Sequence, residues 1–101
     1  MASHLLKLVH FLTDYEGYRA ELYFLRDVDK REVDFLVTIN GKPWFAVEVK
    51  LNETGLSPHL IYFKDRLTIP YIYQIVKKPG VDRIEKGARI ISAGKFLSGL
   101  I

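Results

Sequence analysis

Cysteine is missing from all 101 residues, which excludes a disulfide framework and any thiolate metal site. Long apolar runs are missing as well. None approaches the roughly 20 residues of a membrane-crossing helix, and the N-terminus has no secretory pattern. No internal repeat or low-complexity stretch occurs, so nothing points to an array or a disordered tail. What these absences leave is a soluble intracellular protein, cytoplasmic by default. A hydrophobic share of 49% and an aromatic share of 13% make it globular. The length allows a modest core but no separate accessory module, so residues 1–101 are expected to form one domain.

Acid is scarce in one half only. Residues 1–50 carry seven Lys or Arg against eight Asp or Glu, whereas residues 51–101 carry eight against four, within a net charge of +3. The basic residues Lys64, Arg66, Lys77, Lys78, Arg83, Lys86, Arg89 and Lys95 are therefore candidates for a phosphate-facing rim, with solvated surface lysines as the plainer alternative. His4, His10 and His59 are isolated in sequence and read as structural or surface residues.

Periodicity gives the elements. Leu5, Leu8, Val9 and Leu12 repeat at helical spacing behind Ser3, a candidate N-cap, predicting a helix that ends near Asp14. Glu21 to Arg26 reads as a strand, turned at Asp27 to Lys30 into a second over Glu32 to Ile39. Trp44 to Lys50 is its hairpin partner across Asn40-Gly41-Lys42-Pro43. After a loop at Leu51 to Gly55, Ser57-Pro58 opens a helix through about Leu67, with Leu60, Phe63 and Leu67 on one stripe and Pro70 beyond its end. Tyr71 to Val76 is a strand reached by a crossover, broken at Lys77 to Gly80. Arg89 to Ile91 reads as a short strand and Ala93 to Leu100 as a terminal helical turn. The order α-β-β-β-α-β implies a mixed central sheet with helices on its faces, a three-layer α/β fold.

The hairpin carries the chemistry. A three-residue loop, Asn40 to Lys42 with Gly41 or Lys42 left-handed, pairs Ile39 with Pro43, sets Asp34 opposite Glu48 and Glu32 opposite Lys50. It puts Glu32, Asp34, Glu48 and Lys50 on one face and Val33, Phe35, Val37, Ile39, Phe45, Val47 and Val49 on the other. A two-residue Asn-Gly loop would send Asp34 and Glu48 to opposite faces. Carboxylates about 5 Å apart on neighbouring strands repel unless a proton or cation lies between them. A hard divalent ion suits such a pair, and a lysine two residues on can orient water or stabilise charge developing on a phosphate. The bland alternative is a strand end with ordinary cross-strand salt bridges.

The order of a first helix, a three-stranded meander holding Asp34 and Glu48-Val49-Lys50, a crossover helix and a further strand resembles the PD-(D/E)XK nuclease superfamily. The wording is more specific. Ala2-Ser3-His4-Leu5-Leu6-Lys7, Leu22-Tyr23-Phe24-Leu25-Arg26-Asp27, Arg31-Glu32-Val33-Asp34-Phe35-Leu36-Val37, Gly41-Lys42-Pro43-Trp44, Val47-Glu48-Val49-Lys50 and Leu56-Ser57-Pro58 are similar to the C-terminal nuclease-like domain of bacterial and archaeal AAA-type ATPases. The resemblance runs through Val76. It implies a restriction-endonuclease-like fold in which Asp34, Glu48 and the Val49 carbonyl ligate Mg²⁺ or Mn²⁺, and Lys50 is the catalytic lysine. Gln74 falls where some superfamily members place an auxiliary polar residue, although the residue pattern favours a solvent-facing strand position. Glu32 has no family role, and a salt bridge to Lys50 is expected.

Two departures accompany the resemblance. No Walker-type phosphate loop occurs, so ATP hydrolysis does not carry over. The superfamily's acid on the first helix has no counterpart in Met1 to His4, and Asp14, Glu16 and Glu21 are poor substitutes, which points to a fragment or stand-alone descendant of the ATPase, or to attenuated catalysis. Three functions stay open. One is a metal-dependent DNA nuclease, and another is a non-catalytic domain binding nucleic acid or protein, as a homodimer through Tyr62, Tyr71, Tyr73 or Trp44. The third is a structural remnant whose apolar surface a partner chain covers.

Overall fold

The computed structural model describes residues 2–26, 32–50 and 55–99. Its elements are α1 (Ala2–Tyr15), β1 (Ala20–Arg26), β2 (Glu32–Ile39), β3 (Lys42–Lys50), α2 (Pro58–Leu67), β4 (Tyr71–Val76), β5 (Asp82–Glu85), β6 (Ala88–Ser92) and α3 (Ala93–Ser98). Six strands join one sheet in the order β1-β2-β3-β4-β6-β5. The meander β1-β2-β3 is antiparallel, β4 and β6 continue it in parallel with β3, and β5 closes the far edge antiparallel to β6. The expected mixed sheet flanked by helices is what forms. Among the described residues no helix is long and apolar enough to cross a membrane.

Alternation along the strands divides the core into two layers. Leu5 and Val9 of α1 and Phe96 of α3 pack with Val37, Phe45, Val47, Ile75 and Ile91 on one face of the sheet. Leu60 and Phe63 of α2 pack with Leu36, Ala46, Ile72 and Ala88 on the other. Each fully buried aliphatic side chain contributes about 1.5–3 kcal/mol relative to exposure, so these two layers supply most of the favourable free energy of folding. The helical stripe of α1 holds as expected. That of α2 stops at Phe63, because Leu67 is exposed. Two helix starts differ from expectation: α1 begins at Ala2, which places Ser3 inside the helix, and Ser57 precedes α2 in extended conformation without a side-chain cap bond. Thr68, left-handed at φ 52°, ends α2 two residues before Pro70.

The hairpin register is right in its centre and corrected at its turn. Phe35 pairs with Val47, Leu36 with Ala46 and Val37 with Phe45, as a three-residue loop requires. The loop nevertheless has two residues, since Ile39 pairs with Lys42 and Thr38 with Pro43. Asn40 and Gly41 both take positive φ, 51° and 80°, the mirror-image turn whose twist suits a hairpin. Trp44 is the extra residue on β3, and this bulge restores the parity that the shorter loop would have reversed. Asn40 also ties the turn to β1: its amide donates to the Arg19 carbonyl at 2.8 Å, and its Oδ1 accepts from the Arg19 amide at 3.0 Å.

A second bulge sits on β2. Between the pairs Tyr23 with Leu36 and Leu25 with Val33, β1 spends one residue and β2 spends two, Asp34 and Phe35. Val33 therefore turns to the α2 layer with Leu36, a correction to strict alternation, while Phe35 stays in the α1 layer. The hairpin of β5 and β6, turned at Lys86-Gly87, was not anticipated beyond the short strand at Arg89 to Ile91. The expected turn at Asp27 to Lys30, and the loop from Leu51 except Gly55, lie outside the described residues.

Candidate functional site

β3 carries Glu48 and Lys50 to the carboxyl end of the sheet's parallel strands, where the crossover to α2 begins. Glu48 faces the α2 layer in the same row as Ala46, two residues before it. It is 7% exposed. Its Oε1 lies 3.8 Å from Lys50 Nζ, an ion pair too long to be a hydrogen bond, and its Oε2 is buried with no hydrogen-bond partner among the described residues. A buried carboxylate oxygen without a donor costs on the order of 1–3 kcal/mol or more.

The β2 bulge re-aims Asp34. Its Oδ2 accepts a hydrogen bond from the Val49 amide at 2.8 Å, so the carboxylate reaches across to β3 at the residue between Glu48 and Lys50. This side-chain bond follows directly after the last main-chain ladder pair, Phe35 with Val47. Asp34 and Glu48 are thus both anchored on three consecutive residues of β3, with Lys50 the third, and the Val49 side chain turns outward, exposed.

Glu32 does not join them. It forms an ion pair with its β1 neighbour Arg26 rather than with Lys50, and its main chain meets His59 Nδ1 of α2 at 3.3–3.4 Å, which makes His59 a structural residue. Gln74 also differs from expectation. It is fully buried, directly paired with Glu48 across β3 and β4. Its Oε1 accepts from the Ser57 amide and its Nε2 donates to the Gly55 carbonyl, both at 2.7 Å. Gln74 thereby clamps the segment entering α2 against the sheet beside Glu48. A lone glutamine between Tyr73 and Ile75 in an otherwise apolar strand was the signal available for this role.

The basic residues do not form one rim. Lys77 and Lys78 follow β4 at the end that holds Lys50, because Val76 pairs with Lys50. Lys86 turns the β5–β6 hairpin at the opposite end, where Lys64 lies beside Gly87. Arg89 is held by Asp82 through two hydrogen bonds of 2.9 and 2.8 Å, which keep the Asp82 carboxyl below its usual value.

Among the described residues no three His, Cys, Asp or Glu side chains gather as a metal cluster. Among the described residues the charged donors here are Asp34 and Glu48, and the Glu48 oxygen that has no partner among them is what a hard cation would satisfy. That donor set fits Mg²⁺ or Mn²⁺, which keep several waters, better than a fully protein-enclosed ion.

Residues 3–96 match the model of a family described as a domain of unknown function, DUF4143. No curated protein and no solved structure matches the chain.

Proposed function

The chain belongs to the DUF4143 family, and we propose that it is a divalent-metal-dependent nuclease-like domain of PD-(D/E)XK type acting on DNA phosphodiesters. The observation that carries this reading is the Glu48 carboxylate: buried, 3.8 Å from Lys50, and left with an oxygen that has no partner among the described residues. Such burial is unfavourable in a merely structural strand and useful where a cation and a phosphate must be held.

Asp34 and Glu48, with the Val49 carbonyl, would hold Mg²⁺ or Mn²⁺. When bound, such an ion polarises a phosphoryl oxygen and makes water a better nucleophile at neutral pH. The chain's own residues do the rest. The Val49 amide orients Asp34, and Lys50 brings a positive charge to the phosphate as negative charge builds on its oxygens. Gln74, the cross-strand neighbour of Glu48, ties the segment entering α2 to the sheet beside it. Lys77 and Lys78, at the same end of the sheet, offer contacts to neighbouring phosphates. The family is found in AAA-ATPase-associated proteins, and cytoplasmic work on DNA accords with that association.

A second reading, a catalytically attenuated domain that binds nucleic acid or protein, draws on α1. Its first turn carries no acid, and it packs on the sheet face opposite the Glu48 row. Calorimetric titration with Mn²⁺ tests the site, with heat expected from the native chain and none from Asp34→Ala. Cleavage of supercoiled or branched DNA that disappears in Lys50→Ala selects the nuclease. Salt-sensitive binding without cleavage selects the attenuated domain.

A further inference from the structure

We propose that the groove between α1 and α3, on the sheet face opposite Glu48, binds a nucleobase together with its 5′-phosphate. α1 lies mainly over β1 and β2, and α3 over β6 and β4. α3 has only six residues, too few to close the gap, so among the described residues no helix covers the first residues of β3 and β4. The opening is a cavity of about 480 Å³, within the roughly 300–1,000 Å³ of small-ligand sites.

Its floor is a chain of aromatic rings. Trp44 packs on Phe45 with centroids 4.8 Å apart, Phe45 on Tyr73 at 5.7 Å, and Tyr73 on Phe96 at 5.3 Å. Tyr71, the cross-strand neighbour of Phe45, rises at the edge with 56% of its surface exposed. Arg89, the cross-strand neighbour of Tyr73, and Lys95 of α3 complete the wall. Asp82 fixes the Arg89 guanidinium in place, while Lys95 has no ion-pair partner among the described residues.

This combination selects the ligand. An aliphatic helix or a second copy of the chain seated here would strip water from Lys95, which has no ion-pair partner among the described residues, and return no negative charge to it. A planar π-system bearing an anion satisfies both halves: its ring stacks on the exposed Tyr71 and the half-buried Trp44 and Tyr73, and its phosphate meets Lys95 and the outer edge of Arg89. The groove shares no residue with Asp34, Glu48 or Lys50, so it stands or falls independently of the proposed metal site. A free nucleotide and a terminal residue of single-stranded DNA present the same chemistry.

Trp44 is the chain's single tryptophan, so its emission reports on the groove directly. The full chain is titrated with thymidine 5′-monophosphate and with a thymidine oligonucleotide of about eight residues, a length typical of single-strand sites. Thymidine and inorganic phosphate serve as separate probes of the two halves. Saturable quenching by the monophosphate is expected, weaker by about tenfold with thymidine and absent with phosphate alone, since the charged contact is worth about one decade of affinity. Lys95→Glu and Tyr71→Ala, both exposed and expected to fold, weaken binding by about tenfold, and Asp34→Ala leaves it unchanged. An oligonucleotide that binds more tightly than the monophosphate identifies a strand as the ligand; equal affinities identify the free nucleotide. A flat titration with both overturns the proposal, as does saturation indifferent to Lys95→Glu and Tyr71→Ala. Emission that shifts with protein concentration alone also overturns it, by placing a second copy in the groove.

Discussion

Glu48 and Gln74 are direct neighbours across the parallel β3–β4 ladder, and their side chains have opposite fates. Gln74 has both ends of its amide hydrogen-bonded to the segment that enters α2, whereas Glu48 keeps a buried oxygen with no partner among the described residues. Glu48 is 7% exposed, so its carboxylate is largely removed from water, which strengthens its attraction for a cation.

Gln74→Leu keeps the volume and removes the clamp, leaving the Ser57 amide and the Gly55 carbonyl without their partner. Ser57 is buried whereas Gly55 is exposed, so the unpaired Ser57 amide carries most of the cost, about 1–3 kcal/mol, read as a lower urea midpoint. Gln74→Glu retains the acceptor for Ser57 but turns an acceptor toward the Gly55 carbonyl and adds a second carboxylate beside Glu48. Its stability is expected to recover as pH falls. If Gln74→Glu matches the native chain at pH 7, the clamp is not the organising contact.

Asp34 separates shape from charge. Asp34→Asn retains an oxygen for the Val49 amide, and Asp34→Ala does not. Denaturation in urea is expected to place the alanine variant about 1 kcal/mol below the native chain and the asparagine variant nearer to it. Both variants lose the heat of Mn²⁺ binding. Retained heat in Asp34→Asn would remove this residue from the metal site.

Legibility in the sequence followed regularity. The α1 stripe, the β2–β3 hairpin and the crossover through α2 were readable because each rests on an unbroken period or a strong turn signal. Bulges were not readable, because alternation counts residues and a bulge adds one silently. That is why Val33 changes layer at the Asp34–Phe35 bulge, and why a two-residue loop with an extra Trp44 produced the central register of a three-residue one. Asp34, Glu48 and Lys50 are legible as one end of a hairpin, where Asp34 bonds the Val49 amide and Glu48 faces Lys50, but Glu32 pairs with Arg26 and not with Lys50, since composition cannot tell which of two flanking strands supplies its cation. Gln74 was misread because a polar residue in a strand is usually exposed, and only the tertiary path of 55–57 buries it.

Asp82 and Arg89 provide a test at acid pH. The hydrogen bond from Arg89 holds the Asp82 carboxyl below its usual value; burial opposes it in part, and the charges of Arg89 and Lys95 add smaller effects in the lowering direction. The folded value is therefore the lower one. The pair's contribution is fully present above the unfolded carboxyl's pKa and disappears as pH falls through the folded one. Carboxyl-carbon NMR should show Asp82 titrating below the usual aspartate range, with Arg89→Met returning it there. An unchanged midpoint in Arg89→Met would mean that the pair does not persist in solution.

The β5–β6 turn is improvable. Lys86 and Gly87 take φ of 49° and 81°, the mirror-image hairpin conformation in which asparagine is favoured at the first position. Lys86→Asn should raise stability by about 0.5 kcal/mol, seen as a melting temperature roughly 2–4 °C higher. Gly87→Ala should lower it by about 1 kcal/mol through backbone strain, because the nearest atom to an added Cβ, Lys64 Cε at 3.5 Å, leaves room for it. A neutral Gly87→Ala would mean that the turn opens in solution.

Glu48→Gln sets stability against function in one side chain. Without a divalent cation the native chain buries a carboxylate whose Oε2 has no donor among the described residues and whose Oε1 reaches Lys50 only at 3.8 Å. The amide removes that charge at nearly constant volume, so the metal-free variant should melt above the metal-free native chain, by on the order of 1 kcal/mol. Added Mn²⁺ should stabilise the native chain in proportion to the logarithm of its concentration above Kd and leave Glu48→Gln unmoved. The two melting curves are therefore expected to exchange order as Mn²⁺ is raised. Curves that keep one order at every Mn²⁺ concentration would show that Lys50 alone accounts for Glu48, and that no cation belongs beside it.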